Sequence, residues 1–159
     1  VGKAKKKSDL KARVATGVVL VSVVAFLAFL GPTALFGLLL VIVLVAQGEF
    51  YQAVRKAGHR PATALGLVAG ATLLVAAYRQ GVSAVPVVVF LTLALAFVWH
   101  GWGRGKDKAL ADLAVTVLGV LYVPLLASFA AAALSRHDGR AVVLATIGAA
   151  AVYDICAYA

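Results

Sequence analysis

The stretch VATGVVLVSVVAFLAFL (Val14–Leu30), then Gly31-Pro32, then TALFGLLLVIVLVAQ (Thr33–Gln47) decides the fold: 34 consecutive residues pass without one Asp, Glu, Lys or Arg. An apolar helix needs roughly 17–25 residues to cross the hydrocarbon core of a bilayer; the first run has that length and the second nearly so. The proline between them suits the first turn of a following helix. Two apolar helices joined by a tight turn satisfy every backbone N–H and C=O within their own segments, as lipid requires. A membrane β-barrel would instead show segments of roughly ten residues with alternating polarity, and these runs do not alternate.

Outward from this hairpin the pattern repeats. Further apolar runs cover Ala62–Tyr78, Val85–Trp99, Leu110–Leu134 and Ala141–Ala159, with polar segments between them. Pro124 lies inside the fifth run and should kink it, because proline removes a backbone donor and clashes with the preceding turn. The expectation is an all-α, polytopic transmembrane helix bundle of about six spans: a basic arm over residues 1–13, then one membrane domain over 14–159. Composition agrees. The chain is 64% hydrophobic and 13% charged, where a soluble domain would carry about 25% charged residues.

The net charge of +9 is distributed in a way that argues for topology and against a nucleic-acid partner. With the arm cytoplasmic, twelve of the fifteen basic residues fall on the inner side and three on the outer. That split obeys the positive-inside rule and sets the N-terminus inside, facing a lipid bilayer whose anionic headgroups attract such segments. Trp99, Trp102, Phe50 and Tyr51 fit an interfacial aromatic belt. The single cysteine, Cys156, excludes an intrachain disulfide and reads as a small buried packing residue.

Asp154, in AVYDICAYA, is the most informative residue. It follows Arg140 by fourteen positions, roughly 21 Å of helix, and an Asp at mid-membrane costs about 2.5–3.5 kcal/mol on insertion scales. It is either snorkelling at the inner interface or facing a wet cavity, with Tyr158 on the same face; the second reading makes it a catalytic or metal-holding carboxylate. GEFYQAVRKAGHRP (Gly48–Pro61) places Glu49 at a helix end, as a cavity-lining acid, and Arg55, Lys56 and Arg60 just beyond. Arg55 and Lys56 suit phosphate oxygens, although any inner loop would be basic. HGWGRGKD (His100–Asp107) lacks the first Gly and the Ser/Thr of a phosphate loop. Gly66-x-x-x-Gly70 is a small-residue stripe for close helix packing, within the bundle or in a homodimer.

Four segments in order resemble the N-terminal part of the phosphatidate cytidylyltransferase (CDP-diacylglycerol synthase) family. They are Arg13-Val-Ala-Thr-Gly17; Glu49-Phe-Tyr51 with Arg55-Lys-Ala-Gly58 and Pro61; Leu113-Ala-Val-Thr-Val-Leu-Gly-Val-Leu-Tyr122; and Asp138-Gly-Arg140 leading to Asp154-x-x-Ala-Tyr158. The resemblance implies a multi-pass enzyme of the bacterial inner membrane that joins CTP to phosphatidic acid with Mg²⁺, giving CDP-diacylglycerol and pyrophosphate. It also implies that Asp154 matches the family's motif carboxylate. Tyr153, Ile155 and Cys156 depart from the usual Asn, Thr and Gly. The family continues into a Ser-Pro-Lys-Lys segment and a later signature, so the chain is expected to be truncated at its C-terminus and inactive alone. Two other readings fit the hydropathy: a non-enzymatic six-span protein acting as a transporter subunit or assembly partner, and a CTP-dependent polyprenol kinase.

Overall fold

The computed structural model describes residues 17–101 and 108–158; the basic arm lies outside them. Each apolar run read as a span is helical over most of its described residues. Helix α1 is Gly17–Leu30, α2 is Pro32–Lys56 and α3 is Thr63–Gln80. A 3-10 turn, Val82–Ala84, leads into α4, Val85–Gly101. Helix α5 is Ala109–Tyr122, α6 is Pro124–Leu134 and α7 is Gly139–Tyr158. The described residues contain no strand. Three segments are long and apolar enough to cross a membrane: Pro32–Lys56, Val82–Gly101, and Ala109–Leu134, which joins α5 and α6. Phe29, Phe97, Leu110 and Leu126 stand on the outside, an arrangement suited to lipid and costly in water.

Two elements differ from the sequence expectation. Helix α2 does not end near Gln47 but runs on through Glu49, Phe50 and Tyr51 to Lys56, so Glu49 is inside a helix rather than at its end. What stops α2 is Gly58, whose φ of 91° lies in the left-handed region that side-chain-bearing residues disfavour. The His59 N–H then bonds Val54 O at 3.3 Å and the Gly58 N–H bonds Arg55 O at 3.0 Å, the two bonds of a Schellman cap. At Pro124 the expected kink is a full break. Val123 leaves the helix and Pro124 occupies the first turn of α6, where its missing N–H costs nothing.

That break turns α6 onto α3, which packs against α2, α4, α5 and α6, most extensively against α6. The apolar centre consists of Val43, Leu73, Leu74, Ala77, Val85, Val120, Ala131 and Ala132. The Gly66–Gly70 stripe is filled from within. A Cβ at Gly66 would lie 2.6 Å from Tyr51 Cζ, and one at Gly70 would lie 2.8 Å from Pro124 Cγ. Gly119 of α5 closes on the other side of the Tyr51 ring, again 2.6 Å from Cζ. The stripe therefore serves packing inside this chain and offers no surface to a second copy.

The helices alternate in direction. At one end Thr33 Oγ1 lies 3.3 Å from Tyr78 Oη, Phe36 stacks on Tyr78, and Arg140 donates to Ala28 O at 3.2 Å. At the other end the α2–α3 loop meets the start of α5. The described connections at 31–32, 81–84 and 135–138 therefore lie at one end and the 57–62 loop at the other.

Replacing Gly66 with Ala forces the Tyr51 ring to move, and overpacking of this kind costs about 1–3 kcal/mol. Gly37, on α2 with nothing within 4 Å of its Cβ direction, is the control. Its replacement by Ala should be neutral or stabilising by up to about 1 kcal/mol, the helix-propensity difference. Thermal unfolding of both variants in detergent should therefore move in opposite directions or leave only G66A lowered; equal midpoints would contradict the packing described.

Candidate functional site

Gln47, Tyr51 and Arg55 follow one another at intervals of four on α2, so they share one face. Each reaches a different partner. Gln47 Nε2 donates to Gly66 O at 2.8 Å and Tyr51 Oη donates to Thr116 O at 2.8 Å. The Arg55 guanidinium bonds Thr63 Oγ1. Gln47 and Tyr51 are completely buried; Gln47 Nε2 and the Tyr51 hydroxyl are paired, as an apolar medium demands of a polar group, while Gln47 Oε1 has no hydrogen-bond partner among the described residues. Tyr51 is thus a bundle-interior residue and not part of an aromatic belt. Trp99, exposed at the end of α4, does fit a belt, while Trp102 lies outside the described residues.

Helix α5 holds the loop between α2 and α3. Asp112 Oδ1 accepts the Arg60 N–H at 2.7 Å. Thr116, one turn further along, accepts the Ala62 N–H at 3.0 Å through its hydroxyl while donating to Asp112 O at 2.7 Å. His59 Nδ1 lies 3.7 Å from the same Asp112 oxygen. Two side chains spaced i,i+4 on α5 therefore fix the backbone of residues 60 and 62, and with it the directions in which the basic residues leave the bundle. Arg55, Lys56 and Arg60 are exposed there, with Lys108 capping the start of α5. Several cations on a fixed backbone at one end of an apolar bundle can hold phosphate oxygens.

The residues singled out from sequence do not all meet here. Arg55 and Lys56 do, although Arg55 is tied to Thr63 and Lys56 projects about 100° away round the helix. Glu49 is exposed on α2, away from the face that carries Gln47 and Tyr51. Asp154 is exposed on α7, which packs against α6 and runs from the opposite end back toward the basic one. Tyr158 is the last residue of α7, and its side chain lies outside the described residues. Cys156 is exposed, contrary to a buried packing role. No group of three His, Cys, Asp or Glu side chains converges among the described residues; a magnesium ion held by one or two carboxylates, water and substrate phosphates needs no such group. The Asp112–Thr116 clamp and the Gln47–Tyr51 pair were not anticipated. Their signal in the sequence is polar residues at i,i+4 inside apolar runs.

An apolar helical bundle with a braced, basic end defines a membrane protein equipped to meet phosphate-bearing molecules. A model of the cytidylyltransferase family matches residues 11–159, and the chain belongs to that family; this agrees with the resemblance to phosphatidate cytidylyltransferases. Searches of curated proteins and of solved structures returned no match.

Replacing Thr116 with Val removes the acceptor of the Ala62 N–H, a loss of about 1–2 kcal/mol. Hydrogen exchange at Ala62 should speed up in Thr116→Val and stay slow in Thr116→Ser, which keeps the hydroxyl. Equal exchange in the two variants would show that the clamp does not hold the loop.

Proposed function

We propose that this chain is the membrane portion of a phosphatidate cytidylyltransferase. The reaction is attack of a phosphatidic acid phosphate oxygen on the α-phosphorus of CTP: a new P–O bond forms, the α–β bridging bond breaks, and pyrophosphate leaves as CDP-diacylglycerol is made. The observation that carries this reading is the family match over nearly the whole chain. The braced basic end supports it, because both substrates are anionic at the phosphates that react. In this reading Arg55 and Lys56 contact substrate phosphate, and Asp154 is the catalytic carboxylate, brought by α7 into the half of the bundle that holds the basic end. Glu49 and Tyr158 line the approach to it.

Charge distribution supports the orientation. The end with Arg55, Lys56 and Arg60 faces the cytoplasm, where CTP is available, and the arm lies on the same side. The membrane is the bacterial inner membrane. Magnesium would accompany the triphosphate of CTP, with Asp154 as the carboxylate that helps to hold it. In this reading the 159-residue chain is inactive by itself, because transfer at a triphosphate needs several positioned groups to take up the developing charge.

The test is formation of CDP-diacylglycerol from CTP and phosphatidic acid in membranes. The gene product that carries these residues should be active, and Asp154→Asn should lower its kcat at least 100-fold. The isolated chain should give no product. Turnover by the isolated chain would overturn its inactivity. Preference for a polyprenol over phosphatidic acid would overturn the substrate assignment.

A further inference from the structure

The end of the bundle opposite Arg55, Lys56 and Arg60 contains a cavity of about 620 Å³ between the α3–α4 turn and the α6–α7 loop. Its volume is within the range of about 300–1,000 Å³ typical of ligand pockets. One wall is a strip along α6 and the loop after it: Phe129, then Ala133, then Arg136. These residues are one helical turn apart, so the wall passes from aromatic to small to cationic over roughly 10 Å. Val82 and Val142 face them from the other side. Phe129, Val82 and Val142 remain 53%, 48% and 55% exposed, so apolar surface is left uncovered inside the cavity by the chain itself.

The charges at the rim single out one cation. His137 Nδ1 lies 3.2 Å from Asp138 Oδ1, and the Arg140 guanidinium is committed to Ala28 O. Among the described residues Arg136 has neither an ion-pair nor a hydrogen-bond partner for its side chain. The loop that carries it is fixed: the Arg136 N–H bonds Ala133 O and the Gly139 N–H bonds Arg136 O, both at 3.0 Å. An apolar floor beneath a guanidinium carried on a braced loop, at the end of a membrane bundle, matches a phospholipid in the order acyl chain, glycerol, phosphate. A soluble anion would gain nothing from Phe129, Val82 or Val142, and a neutral apolar ligand nothing from Arg136.

We propose that this cavity is a binding site for one anionic membrane phospholipid. It is separate from the basic end at which the cytidylyl reaction is placed, and on the proposed orientation it opens to the outer leaflet. The site is independent of which substrate the enzyme uses.

Titration of the purified, delipidated full chain with phosphatidylglycerol or phosphatidylcholine, followed by native mass spectrometry, tests this. One phosphatidylglycerol should bind roughly fivefold more tightly than phosphatidylcholine, the discrimination expected of one cation near an anionic headgroup. Arg136→Glu should weaken phosphatidylglycerol binding on the order of tenfold. Ala133→Leu, which fills the cavity and keeps the charge, should weaken both lipids. Unaltered binding in Arg136→Glu and Ala133→Leu, with unfolding midpoints like the parent's, would overturn the site. Equal binding of the two lipids would reduce it to general lipid adhesion. Displacement by millimolar inorganic phosphate would make it a site for free anions instead.

Discussion

Everything at the basic end depends on a tyrosine and a glutamine that have no business in an apolar interior unless they are paired. Gln47 and Tyr51 lie in a notch made by Gly66 and Gly70 on one side and Gly119 on the other. Their polar atoms reach backbone carbonyls of two different helices, Gly66 O and Thr116 O. Interhelical hydrogen bonds of this kind are worth only about 0.6 kcal/mol on average in membranes. Their larger role is directional: apolar packing alone would tolerate α2 sliding or turning against α3, whereas a misplaced Gln47 or Tyr51 leaves a buried polar group unpaired. The glycines and the polar pair are thus one device, since neither fits without the other.

The device connects to chemistry through α2's third face residue and through α5. Arg55 continues the Gln47–Tyr51 row to the bundle's end, and Thr116 uses its carbonyl for Tyr51 and its hydroxyl for Ala62. A buried contact and a surface loop therefore share one residue. Phosphate binding by flexible cations loses ordering entropy at each side chain; a loop whose backbone is already held at residues 60 and 62 loses less. On the proposed function, this is the physical link between the interior of the bundle and the phosphate-bearing substrates.

The parts of this architecture set by local chemistry were legible in the chain itself. Apolar length marked the helical segments, Gly31-Pro32 the first turn, Pro124 the interruption between α5 and α6, and Gly66-x-x-x-Gly70 a close helix contact. Four short motifs led to the family. What escaped was anything that depended on which face of a helix meets a neighbour. The end of α2 looked like a loop because Glu49, Gln52 and Arg55 are polar, yet polar residues are equally at home on a helix leaving the membrane. Tyr51 looks interfacial for the same reason, and it is Gly66 together with Gly119, 68 positions away, that makes room for it inside. Nothing in the sequence marks Asp112, because its partners, the Arg60 N–H and His59, belong to a distant loop. Whether Cys156 is buried is a property no single helix can determine.

The separation in sequence between Tyr51 and Thr116 has a consequence for how the protein is made. Helices enter the bilayer in order as the ribosome supplies them, so α2 and α3 can associate early through Gln47 and Gly66, nineteen residues apart. The Tyr51 hydroxyl must wait for α5, 65 residues downstream. During that interval the half-built bundle has an open seam on one flank, a transient demand for shelter that an insertase or a neighbouring lipid headgroup would meet. Arrival of α5 closes the seam, and the same event braces the α2–α3 loop. Biogenesis and substrate-site assembly are therefore completed in one step, and a nascent chain stopped short of α5 would have its basic residues but not their arrangement.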